Sequence, residues 1–124
     1  MRPQDFYTRT KSSQGVHVDL VDPAGRREWV RVRSVMSAEF VAVAAAVASR
    51  AEQYRARLDA AGPAERKRLV RLRRSTLASA LVAEWSLPMK APAEIAEMLS
   101  TNPRLRRQIE LISENHALHF GAAA

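Results

Sequence analysis

The chain has 124 residues, enough for one domain with a single core and too few for a large two-domain enzyme. Its apolar share rests on 22 alanines against seven aromatic residues, which favours close helix packing over an aromatic β-sandwich, and the lack of cysteine excludes disulfides, thiol catalysis and cysteine-based zinc sites. The net charge is +7, with 17 arginines to three lysines; residues 50–74 alone hold nine basic and three acidic side chains, so an anionic partner is expected to meet the chain there.

Residues 1–14 follow no period and read as a flexible arm, with no secretory signal in this polar stretch. Residues 15–33 alternate. Val16, Val18 and Leu20 share one face, and His17 and Asp19 share the other. Asp22-Pro23-Ala24-Gly25 supplies a turn, because proline pre-sets φ and glycine accepts a positive one. Trp29, Arg31 and Arg33 then alternate with Val30 and Val32, which predicts a β-hairpin over 16–33. Two strands are marginal alone in water, so this ribbon must lean on helices or on further strands.

Ser37 is placed to cap a helix, and Phe40, Val43, Val47, Ala51, Tyr54 and Leu58 continue it in steps of three and four. The spacing predicts one helix over 37–61, stopped by Gly62-Pro63. A second is expected over 64–86, with Val70, Leu77, Leu81 and Trp85 on one face and Pro88 as its breaker. A short third runs over 92–100. The fourth, over 103–119, opens at Pro103 with Asn102 as its cap. Residues 121–124 are expected to fray. The fold class is therefore mostly α: an N-terminal β-hairpin and about four helices in a single domain over 15–120. Its expected core includes Phe40, Val43, Val47, Leu77, Leu81, Trp85, Ile95, Leu99, Ile109 and Ile112. The longest apolar run covers about nine residues where a membrane span needs roughly 20.

No catalytic signature is present. The glycines stand singly, so they build no phosphate loop, and no two carboxylates are paired for acid–base work. His116 and His119 share a helical face with Glu114 nearby. A closed zinc site needs four ligands on rigid elements, so these histidines read as surface or packing residues, and neither metal nor cofactor is expected. Arg66, Arg71, Arg73 and Arg74 belong to a basic run that suits either phosphate or an acidic protein face. Residues 93–115 can be drawn as a helix-turn-helix, with Arg104, Arg106, Arg107 and Gln108 early in its second helix. Trp29, Arg31 and Arg33 form an arginine-rich side of the hairpin. They become interface candidates if the outer strand face stays uncovered.

The elements in order carry recurring positions: Val18-x-Leu20-x-Asp22-Pro23-x-Gly25, Trp29-x-x-Val32-Arg33-Ser34, Ser37-x-Glu39-Phe40, Leu81-Val82-x-Glu84-Trp85, Ile95-x-x-Met98-Leu99, then Pro103, Ile109 and Phe120. Over residues 15–120 this resembles the tail assembly chaperones of long-tailed bacteriophages. The acidic third helix with Glu94 and Glu97 fits that pattern; the basic run 66–74 departs from it. The resemblance implies a non-enzymatic helper in the host bacterial cytoplasm. Such a helper coats the tape-measure protein and recruits tail-tube subunits; the hairpin itself, with unpaired edges and Val16, Val18 and Leu20 in need of cover, predicts homo-oligomers. The alternative is a small phage or bacterial DNA-binding protein using the helix-turn-helix or the basic helix. Under the chaperone reading only weak, sequence-indifferent nucleic-acid binding is expected.

Overall fold

A computed structural model of the protein describes residues 13–21 and 24–120. The arm over 1–12, the turn residues Asp22 and Pro23 and the tail 121–124 lie outside the described residues. The described elements are strands β1 (Val16–Val21) and β2 (Arg27–Val32), helices α1 (Ala38–Ser49), α2 (Ala51–Ala60) and α3 (Pro63–Ser79), strand β3 (Val82–Trp85), and helices α4 (Pro92–Ser100), α5 (Pro103–Glu114) and α6 (His116–Phe120). The architecture is the expected one, mostly helical after an N-terminal hairpin.

The hairpin pairs antiparallel from Val16 opposite Val32 to Val21 opposite Arg27. Gly25 takes φ +82°, as the turn requires, and Gly15 takes φ +81° where the chain enters β1. A Cβ at Gly15 would stand 2.6 Å from the Val32 carbonyl oxygen, so this entry is open to glycine alone. The hairpin also finds the support that two strands need, from a third strand. The order is β1-β2-β3, with Val30 opposite Trp85 and Val32 opposite Val82.

That third strand corrects the helix expected over 64–86. Helix α3 stops at Ser79, where Ala80 and Leu81 donate to the carbonyls of Leu77 and Ala78 in a tightened last turn. Hydroxyls feed the same ending: Thr76 donates to the Leu72 carbonyl and Ser79 to that of Thr76. The misleading signal has a geometric source. The β2–β3 register shifts at Arg31/Val32, so an extra residue sits in β3. Leu81, in the turn before β3, and Trp85, within it, are both buried, and their step of four continues that from Leu77 to Leu81 and so imitates a helix.

The expected long first helix is likewise divided at Arg50 (φ −105°, ψ 15°), and the last is divided at Asn115. Six helices are described where about four were expected. Ser37 caps α1 as expected, accepting from the Phe40 amide at 3.3 Å. Asn102 does not cap α5 with its side chain; its Nδ2 donates back to the Met98 carbonyl and closes α4 instead.

The core lies between the inner sheet face and the helices. Val30, Val32, Trp85, Leu99 and Ile109 are fully buried, with Ala78, Leu81, Val82 and Ile95 beside them. Helix α3 packs most extensively on α4, with small residues Ser75, Ala78 and Ser79 of α3 and Ala96 of α4 buried. Trp85 fills the centre and satisfies its indole by donating to the Met89 carbonyl at 2.6 Å. Phe40, Val43 and Val47 are only half-buried, since no residue of α1 or α2 reaches full burial, and Leu77 of α3 and Ile112 of α5 are half-buried as well.

Candidate partner-binding groove

Helix α1 packs on α3, α2 meets α3 through side chains such as Tyr54 and Arg73, and a groove of about 260 Å³ lies between them. Its apolar lining is Val47, Tyr54, Leu69 and Leu72; its rim carries Arg50, Arg57 and Arg73. Tyr54 anchors the cationic side, with the Arg73 guanidinium 4.7 Å from its ring centroid. None of Arg50, Arg57 and Arg73 is in a salt bridge among the described residues, although the charge of Arg57 acts on Glu65.

The structure disperses the residues singled out from sequence. Arg73 lines the groove, and Arg66 donates to the Leu58 carbonyl, tying α3 to the end of α2. Arg71 and Arg74 are exposed on the flank of α3. Trp29 and Arg31 lie instead on the outer face of the sheet. Trp29 is half-buried there, its ring stacked on His17 with centroids 5.3 Å apart, and Arg31 pairs with Glu84 at 2.7 Å. No helix among the described residues covers this face, where His17, Asp19 and Glu84 are exposed.

Arg33 leaves the hairpin set. It bends over the end of β3, donating to the carbonyls of Ala80 and Val82, and lies 3.9 Å from Glu39. Burial pushes the Glu39 carboxyl up, but a backbone amide, the Ser13 hydroxyl and Arg33 together hold it below the usual carboxylate range. Arg33 is thus a clamp between strand and helix, and its side chain is only 22% exposed. Arg50, Tyr54 and Arg57 were not singled out as site residues. Their i, i+4, i+7 spacing marks one helix face, a signal hidden in the sequence because Tyr54 also fits the apolar stripe.

The helix-turn-helix geometry is present in outline, α4 and α5 being joined by Thr101-Asn102. Two of its four reading residues are engaged within the chain, whereas Arg104 and Gln108 are exposed. Arg106 bonds both oxygens of Glu110, and Arg107 approaches the same carboxylate at 3.8 Å. His119 is buried and donates from Nε2 to the Ile112 carbonyl, which in the neutral ring leaves Nδ1 without a proton. Desolvation keeps its pKa below the ordinary histidine value, against the effect of that bond, and the neighbouring His116 adds to the lowering. Among the described residues no group of three or more histidines or carboxylates is placed to hold a metal ion. Nor is any described helix long and apolar enough to cross a membrane.

Comparisons with protein-family models, with curated proteins and with solved structures return no match.

Proposed function

We propose that this protein is a tail assembly chaperone of a long-tailed bacteriophage. In this reading it is a non-catalytic factor of the host cytoplasm that shields helices of the tape-measure protein and recruits tail-tube subunits. The observation that supports it is the groove between α1–α2 and α3. An open, apolar-lined and arginine-rimmed channel between two helical arms suits the apolar face of a third helix, with carboxylates of that helix meeting Arg50, Arg57 and Arg73. Tyr54 and Arg73 are suited to anchoring it, being the residue types that dominate binding energy at protein interfaces. The sequence resemblance points the same way. The runner-up, a DNA-binding protein, draws on the exposed basic flank of α3; it is weakened by the engagement of Arg106 and Arg107 with Glu110.

Co-expression with a tape-measure protein is the test. The unsubstituted chain should keep the tape-measure protein in the soluble fraction and co-purify with it. Leu72→Glu, which places a carboxylate in the half-buried apolar lining, should abolish co-purification while the thermal transition stays cooperative. Co-purification unaffected by Leu72→Glu and by Tyr54→Ala would remove the groove from the account.

A further inference from the structure

The two edges of the sheet are not equivalent. In β3, Leu81 and Ser86 turn their main-chain groups towards β2, accepting from Arg33 at 2.6 Å and donating to Trp29 at 3.0 Å. Val82 and Trp85 therefore turn theirs outward. Both outward carbonyls are already occupied: Arg33 donates to that of Val82, and the Lys90 ammonium donates to that of Trp85. Cationic side chains of the same molecule close this edge, a familiar way of blocking strand addition.

The β1 edge has no such cover among the described residues. Trp29 faces β3 through its main chain, so Val30 faces β1, and alternation makes Val18–Val30 a hydrogen-bonded pair. The amides and carbonyls of His17 and Asp19 consequently point away from the sheet. The apolar row Val16, Val18 and Leu20 is only half-buried, and Val21 beyond it is 73% exposed.

We propose that β1 pairs antiparallel with β1 of a second copy about a two-fold axis through Val18, making one continuous sheet of two molecules. The register follows from polar complementarity. Centred on Val18, His17 of each copy lies opposite Asp19 of the other, and both main-chain bonds of that pair can form. On the inner face Val18 meets Val18, and Val16 meets Leu20. His17 and Asp19 already attract within one strand, Nε2 to Oδ1 at 3.1 Å, so the same two groups make a four-membered polar cluster across the axis. A register centred on Asp19 would set two carboxylates face to face, and one centred on His17 would set two imidazoles together and pair fewer residues. This deepens the reading above by naming how copies meet, and it is tested with no tape-measure protein present.

The chain has no cysteine, so single cysteines report register directly. Across the axis the Val18 positions form a non-hydrogen-bonded pair, with Cα atoms about 4.5 Å apart, within disulfide reach. The two Asp19 positions are diagonal at about 7–8 Å, beyond it. Under mild oxidation the full-length Val18→Cys variant should become a covalent dimer and Asp19→Cys should not. Light scattering of the unsubstituted chain should report twice the monomer mass. Asp19→Lys should weaken association, and His17→Asp combined with Asp19→Lys should restore it. A monomer at every concentration, or cross-linking of Asp19→Cys in place of Val18→Cys, would overturn the proposal. Either failure leaves the groove reading to its own test, since none of these positions lines the groove.

Discussion

Trp85 carries more of the core than any other single residue. It is 1% exposed, faces Val30 across the bulged register and holds the Met89 carbonyl. Trp85→Ala should destabilise the fold by about 3–5 kcal/mol, read by chemical denaturation, because it removes a large buried ring and orphans an acceptor. Gly15 is the second sensitive position. Gly15→Ala meets both a positive φ and the Val32 backbone, so a loss of more than about 1 kcal/mol is expected. Gly25 has a positive φ but open space around it, so Gly25→Ala meets backbone strain without a clash and should cost less. His119 brings a pH dependence. Its folded pKa lies below the unfolded value of about 6.5, so the unfolded chain binds the proton first. Stability is therefore full above that unfolded value and falls as pH drops through it towards the folded pKa. His119→Asn should flatten this part of the profile, measured as the melting temperature between about pH 7.5 and 5.

The secondary elements differ in how plainly the chain announces them. The hairpin was readable because alternation and a glycine turn agree, and α4 because Pro92 opens a stripe of Ile95, Met98 and Leu99. Strand β3 was not, since Leu81 in the turn before it and Trp85 within it are both buried at a helical step of four. The breaks at Arg50 and Asn115 carry no glycine or proline, so no local breaker marks them. The candidate site was half readable: the basic run located α3, but the groove depends on α2 lying beside α3, a tertiary fact. Burial also separates the elements energetically. Helices α1 and α2 contain no buried residue, whereas α3 and α4 share the packed seam of Ser75, Ala78, Ser79 and Ala96. Amide exchange should accordingly be fast throughout α2 and slowest in β2 and α4, the elements nearest Trp85 and Leu99. Uniform protection across α2 and α4 would contradict that ordering.

For the whole molecule, the fold separates three surfaces. One sheet face is packed under helices, the opposite face displays Trp29, His17, Arg31 and Glu84, and the α1–α2 arm with α3 presents the arginine-rimmed groove. Charge alone draws many anions to residues 50–74, so attraction does not distinguish a helical protein partner from nucleic acid; the salt response does. Contacts to DNA phosphates release counterions, with a log–log slope of about −0.9 per phosphate contacted. An apolar helix seated on Val47, Leu69 and Leu72 depends far less on ionic strength. Arg71, Arg73 and Arg74 changed together to glutamate should abolish DNA binding and weaken helix binding, Arg73 being the one of the three at the groove.

The most direct measurement is a titration of the full-length protein with an amphipathic tape-measure segment and with duplex DNA, each between about 50 and 200 mM salt. The account predicts that affinity for the helical segment falls less than about tenfold, while DNA binding is weak, indifferent to sequence and falls far more steeply. Nanomolar binding to one DNA sequence at physiological salt, with no binding of the helical segment, would contradict it, since such affinity needs base-edge contacts that an arginine-rimmed apolar groove does not make.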